Sequence, residues 1–283
     1  MFEYLRRFFT PILEAGMSQS LTQPGWKEKK KFYFDRWWLL LVAVIALILL
    51  LVFTTPDPYK RIVLYVRAGI WTTVSLTLIS FVLVLFVGLL IALMRISKSK
   101  ILRGISTVFV EIIRGIPLMV QLIFWYFAFP SVIQGIGDSL QIASLSDFKT
   151  NAIAMAILGL TICYSAYMSE VIRAGIQSIS KGQMEAARSL GMTYFQAMRY
   201  VVLPQAIRVI LPPVGNEFIT LLKDSSLVSV VAVADLTRRG REFMAANFQP
   251  IQTWAMVALL YLVLTLLAGR VVAWLERRFH LEK

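Results

Sequence analysis

Residues 66–94 read VRAGIWTTVSLTLISFVLVLFVGLLIALM, mostly apolar and uncharged except for Arg67 near its start. A mostly apolar stretch of about 18 or more residues is long enough to cross the hydrocarbon core of a bilayer as a helix. This one is longer than a bilayer demands, so it tilts or extends beyond the lipid. Comparable runs recur along the chain. They predict about six transmembrane helices, at Trp37–Phe53, Val66–Met94, Ile105–Phe129, Ala152–Ile172, Val209–Val233 and Thr253–Trp274. The fold class is therefore all-α and polytopic, with no large soluble domain. The division expected is a basic N-terminal segment (1–36), an extra transmembrane helix (37–60) and a main membrane domain (61–283).

The chain has 283 residues, is 58% hydrophobic and carries a formal net charge of +13. In a soluble protein that charge suggests nucleic acid. Here the basic residues punctuate apolar runs, and the positive-inside rule accounts for them, so no nucleic-acid partner is expected. Arg6, Arg7, Lys27, Lys29, Lys30, Lys31 and Arg36 precede the first span. Arg95, Lys98, Lys100 and Arg103 follow the second, Arg173, Lys181, Arg188, Arg199 and Arg208 follow the fourth, and Arg277, Arg278 and Lys283 follow the last. The alternate loops are poorer in positive charge, apart from Arg238, Arg239 and Arg241. Both termini and the loop around 181–205 are therefore expected on the cytoplasmic side. The first apolar run is read as a retained helix, because "VFTTPDPYK" lacks a signal-peptidase pattern.

Ahead of that helix, "MFEYLRRFFTPIL" sets Phe2, Leu5, Phe9 and Ile12 at near-helical spacing beside Arg6 and Arg7. That pattern suits a helix lying on the membrane surface; a frayed tail is the alternative. The basic stretch that follows is attractive to anionic membrane lipid. Cys163 is the single cysteine and His280 the single histidine. With no metal cluster, nucleophile motif or P-loop in the sequence, neither a metal site nor catalysis by this chain is expected.

One polar stretch stands out: "KGQMEAARSLGMTYFQAMRYVVLPQ", Lys181 to Gln205. It is too long for a plain connection and too regular for a disordered one. Good helix formers run from Gln183 to Leu190, and Gly191 ends that helix. A second helical pattern follows and Pro204 punctuates its end. Small Ala186 and Ala187 allow close approach of another backbone, and Glu185 and Arg188 offer charges to orient a partner.

Glu185-Ala186-Ala187, then Gly191 after three residues, then Leu203-Pro204 after a fixed gap, resembles the EAA motif of ABC importer permeases of type I. Val201 stands where the family usually has Ile, a conservative departure. "EIIRGIPLMVQLIFWY" (Glu111–Tyr126) and "PPVGNEFITLLKDSSLVSVVAVADLTRR" (Pro212–Arg239) are similar to the branch that carries polar amino acids such as histidine, arginine, glutamine or glutamate. The resemblance runs from about Tyr65 to Arg278, and the first 60 or so residues lie outside the family core of five spans. It implies that the 181–205 loop forms a coupling helix seated on a cytoplasmic ATPase. It also implies two copies of that ATPase, a second permease (self or homologue) and an extracytoplasmic substrate-binding protein. ATP and magnesium would act on the partner ATPase, this chain binding no cofactor, and the location would be the bacterial inner membrane.

Ionisable groups inside a span are costly and suggest function. Glu217, Thr220 and Asp224 are spaced i, i+3, i+7 and share one helix face, with Asn216, Lys223, Ser225 and Ser226 close by. A substrate cavity is one reading, its carboxylates gripping an amino or guanidinium group; an internal ion pair is the other. Lys223 and Asp224 are adjacent and do not face each other. Gly115 and Pro117 imply a kink or helix restart, with Gln121 one turn beyond as a cavity candidate. Glu111–Arg114 and Glu170–Arg173 each permit a local i, i+3 pair. The acidic residues favour a cationic amino acid, while Lys223 pulls the other way. An ATP-independent secondary transporter or channel is the competing reading.

Overall fold

The computed structural model describes residues 36–278, all-helical with no strand among them. From Leu39 onward they form one helical body. The surface-helix reading of residues 1–13, the basic stretch up to Asp35 and His280 lie outside the described residues. The helices are α1 (Arg36–Thr54), α2 (Pro56–Ile96), α3 (Lys100–Gly115), α4 (Leu118–Leu140), α5 (Ala143–Ser146), α6 (Ala152–Gln177), α7 (Lys181–Ser189), α8 (Leu203–Asp224), α9 (Leu236–Asn247) and α10 (Pro250–Arg278). Among the described residues, α1, α2, α4, α6 and α10 are long and apolar enough to cross a membrane.

Two of the six expected spans need correction. The third, placed at Ile105–Phe129, is broken at Ile116–Pro117 into α3 and α4, and α4 runs on to Leu140. Pro117 cannot donate to the helix ladder and pushes Ile116 into extended backbone (φ −104°, ψ 130°). The fifth, placed at Val209–Val233, starts at Leu203 and stops at Asp224, where a 3₁₀ turn, Ser225–Val231, takes over. Arg208, Glu217, Lys223 and Asp224 keep α8 out of the apolar class, although it lies within the bundle against α2, α6 and α10.

The buried positions of α2 recur as one stripe, Ile62, Val66, Gly69, Thr73, Leu76, Ser80, Val84, Gly88 and Ile91. Spacings of three and four keep them on one face. Gly69, Thr73, Ser80 and Gly88 in this stripe are small, and small residues let membrane helices approach closely. At Gly69 the approach is to backbone, for a side-chain carbon there would fall 2.7 Å from the carbonyl oxygen of Asp235. Leu76 and Val84 then join Leu160, Tyr164 and Met168 of α6 and Leu221 of α8 in the main core. Ile62 and Val66 join Leu236 and Phe243 of α9 and Met256 of α10 in a second cluster. The opposite faces expose Trp71, Val82 and Phe86, as a lipid-facing surface does. The extra helix α1 lies along the outside of α10, with Leu41 and Val44 packed against Leu266.

Both π-turns, Phe124–Ala128 and Met198–Val202, lie just before a proline, Pro130 and Pro204. Proline leaves the carbonyl four residues back without its donor. A wider turn, with Phe129 N bonded to Phe124 O and Leu203 N to Met198 O, carries the helix past that gap. Pro204 therefore does not end the second helix of the 181–205 loop, as its sequence suggests. It opens α8, and the chain stays helical from Tyr194 to Asp224.

Candidate functional site

A cavity of about 460 Å³ lies where α6, α8 and the α3–α4 break meet. Helix α6 contributes Cys163, Tyr164 and Tyr167, α8 contributes Glu217, Thr220 and Asp224, and the break contributes Arg114 to Leu118. The i, i+3, i+7 face read from the sequence is thus a single wall. Tyr164 Oη donates to Asp224 Oδ2 at 2.6 Å, a short bond of the kind a charged acceptor gives. The Arg114 guanidinium stands 5.1 Å above the Tyr167 ring. One wall thus carries two carboxylates and the other a guanidinium.

Arg114 pairs with Glu170 of α6 rather than with Glu111, at 3.6 Å. Glu170 is already held by Arg95 Nη1 (2.5 Å) and by Arg173 through Nη2 (2.6 Å) and Nε (2.9 Å). Arg114 is therefore the loose third partner of a satisfied carboxylate, with 44% of its side chain exposed. The Glu170–Arg173 pair expected from spacing is present.

Four candidates lie outside the cavity. Gln121 is buried behind the wall, where its Nε2 donates to the carbonyls of Ile113 (2.8 Å) and Ile116 (2.9 Å). It braces the helix break by capping acceptors that the Pro117 interruption frees. Ser225 is fully buried and bonds back to the Leu222 carbonyl. Asn216 is exposed one turn before Thr220 and does not line the cavity. Lys223 lines a separate cavity beside α10. Tyr164 and Tyr167 escaped the sequence reading because tyrosine is common in apolar runs. Their signal was the spacing Tyr164, Tyr167, Glu170, which puts three polar tips on one α6 face.

The 181–205 loop forms a second candidate surface. Ser180 caps α7, and Thr193 with Gln196 makes a complete capping box for the following helix. Gly191 joins them at φ +86°, a conformation that favours glycine. Ala187 is buried against its own chain, while Glu185, Ala186, Arg188, Leu203 and Pro204 are exposed. Gln205 Nε2 donates to Gln183 Oε1, fastening α7 to the base of α8. Around α7 stand Leu190, Tyr194, Phe195 and Tyr200, exposed by 82%, 61%, 70% and 65%. A polar loop that leaves four large aromatic or aliphatic side chains exposed presents a docking patch.

Residues 84–281 match the family model described as binding-protein-dependent transport system inner membrane component. The chain belongs to this family. Among its relatives in this permease family is the probable glutamine ABC transporter permease protein GlnM of Bacillus subtilis (strain 168). That protein is 41% identical over 215 residues, which span 76% of this chain and 92% of the relative. The glutamine transport system permease protein GlnP of Escherichia coli (strain K12) is 38% identical over 194 residues, 69% of this chain and 83% of the relative. A solved amino acid ABC transporter crystallised with histidines superposes at TM-score 0.67 with 38% identity, over 80% of this chain and 98% of that one. In this permease the matched region takes in the cavity and the loop, while α1 and the first two thirds of α2 precede it.

Proposed function

We propose that this permease is the membrane-spanning subunit of an ATP-driven importer of polar amino acids. The observation that carries the reading is the α7 surface: a rigid, doubly capped polar loop ringed by Leu190, Tyr194, Phe195 and Tyr200. In a chain whose family works with binding proteins, this surface seats on a cytoplasmic ATPase, with Glu185 and Arg188 at its rim. Two ATPase copies, a second permease and an extracytoplasmic binding protein complete the transporter. Both termini lie in the cytoplasm and the chain sits in the bacterial inner membrane. ATP and magnesium act on the ATPase.

The cavity suits a zwitterion. Arg114 faces a carboxylate, and Glu217 and Asp224 face an ammonium or guanidinium, with Thr220 as a neutral donor. Closure of the ATPase pair moves α7, and α8 follows because the Gln183–Gln205 bond ties α7 to its base. The protein does no chemistry; it makes different contacts with its cargo in two states.

The test is purification of tagged permease from native membranes in mild detergent, followed by mass spectrometry. A P-loop ATPase is expected to co-purify, and to be lost on Gly191→Pro or Phe195→Asp. Permease recovered repeatedly without an ATPase, and able alone to take up amino acid into liposomes down an ion gradient, would replace this reading with an ATP-independent transporter.

A further inference from the structure

Lys223 has no assigned place in the cavity described above. Its ammonium has no hydrogen bond or ion pair among the described residues, yet it stands on the exposed edge of a membrane-embedded helix. A charge so placed is retained for a partner. It lines a second cavity, about 480 Å³, walled by the end of α8 and by α9 and α10.

The second cavity has the composition of a site for a small anion with an organic body. Beside the Lys223 ammonium, Ser226 brings a hydroxyl donor, and Trp254 and Tyr261 bring aromatic faces; the Thr265 proton is spent on the Leu262 carbonyl and that of Thr237 on Tyr261 Oη. The polar groups are fixed in advance. Thr237 Oγ1 lies 2.9 Å from Tyr261 Oη, and Tyr261 donates to Asp235 Oδ2 at 3.2 Å. Asp235 is fully buried and caps α9 through the amides of Thr237 and Arg238. A site whose groups are held by a buried cap does not have to be ordered when the ligand arrives.

The two cavities are linked along one helix. The exposed stripe of α8 runs Val209, Pro213, Asn216, Thr220, Lys223, at helical spacing. Asn216, Thr220 and Lys223 make its far half polar, which suits water or protein rather than lipid. Thr220 lines the first cavity and Lys223 the second, one turn apart or about 4.5 Å along the axis. Lys223 and Asp224 are neighbours on α8, both farther from α7 than Glu217, so the two cavities open at the same height along the helix.

From this arrangement we infer that the Lys223 cavity is a second cargo station, which takes the α-carboxylate of an amino acid and exchanges the molecule around α8 with the Asp224 cavity. The inference rests on the amino-acid reading of the previous subsection.

The test is equilibrium binding of radiolabelled L-glutamine and L-arginine, and of their C-terminal amides, to the purified permease–ATPase complex without the external binding protein. Uptake of the same two amino acids by intact cells is measured alongside. The wild type is expected to bind acid at least tenfold more tightly than amide. The acid is expected to fill two sites per permease in the wild type, one in Lys223→Gln, where the Arg114 cavity keeps its own preference for the acid, and two again in Lys223→Arg. Two acid sites retained in Lys223→Gln would overturn the second station while leaving the importer reading intact. One site in both Lys223→Gln and Lys223→Arg would overturn the claim that a positive charge at this position holds the carboxylate. Absence of wild-type uptake and binding for both amino acids would bring down the importer reading, and this inference with it.

Discussion

Tyr164 and Asp224, sixty residues apart in sequence, meet across the α6–α8 interface with 2.6 Å between the phenol and the carboxylate. The bond uses one oxygen of Asp224 and leaves the other for the cavity. It converts a flexible carboxylate into an oriented one, and it joins the helix that leads into α7 to the helix that leads out of the loop.

The first prediction concerns this pair. A hydrogen bond to a charged group is worth about 1.5–3 kcal/mol, and ~1.4 kcal/mol is tenfold in affinity. Tyr164→Phe keeps the ring in the core and deletes only the anchor. Amino-acid binding by the purified permease–ATPase complex is expected to weaken about tenfold, with the complex still intact on size-exclusion chromatography. Unchanged or tighter binding would show that Asp224 needs no anchor to meet its ligand.

The second prediction separates Glu170 from its loosest partner. Its side chain is 23% exposed and its bonds to Arg95 and Arg173 are short. Removing the charge strands two guanidinium groups, a loss of roughly 3–5 kcal/mol for a fully buried pair and about 2 kcal/mol after allowing for solvent at this site. Glu170→Gln is expected to lower the Tm in detergent by about 5 °C. Arg114, half-exposed and 3.6 Å away, contributes little to stability, so Arg114→Gln should leave Tm within about 1 °C. Equal losses in the two variants would contradict this ranking.

Hydrophobic run length and basic punctuation sufficed for the helical class, because lipid imposes those on any spanning chain. The shared face of Glu217, Thr220 and Asp224 was legible for an equally simple reason: α8 is continuous there. What the sequence concealed depends on contacts between distant segments. Gln121 looked like a cavity residue one turn beyond a proline, but its amide is spent on carbonyls of the preceding helix. Lys223 turns to α10 and Asp224 to α6, a division set by which helices flank α8. The π-turn at Met198–Val202 reversed the meaning of Pro204, since a stop signal in an ordinary helix becomes a start after a widened turn.

A third prediction addresses the packing of α2. A methyl group at Gly69 would fall against the backbone of Asp235 and Leu236, which cannot move aside as a side-chain tip does. Overpacking of this kind costs roughly 1–3 kcal/mol, and here it also disturbs the cap of α9. Gly104, also helical, has open space around it. Gly69→Ala is expected to lower Tm by several degrees, whereas Gly104→Ala should hold or raise it, since alanine favours helix over glycine by about 1 kcal/mol. The comparison fails if the two variants melt together.

The last prediction returns to the α3–α4 break. Gln121 Nε2 holds the carbonyls of Ile113 and Ile116 from within a buried site, and the residues it braces, Gly115 to Leu118, form one wall of the cavity. Gln121→Leu has similar bulk but no donor. Leaving buried acceptors unpaired costs about 1–3 kcal/mol, and the break can recover part of that only by opening toward water. Hydrogen exchange of the amides at residues 118–121 should therefore quicken in Gln121→Leu, and amino-acid binding should weaken in parallel. The core of α6 should exchange as in the wild type, because its packing against α2 is untouched. Quickened exchange throughout α6 would show that Gln121 supports the whole bundle and not the wall alone.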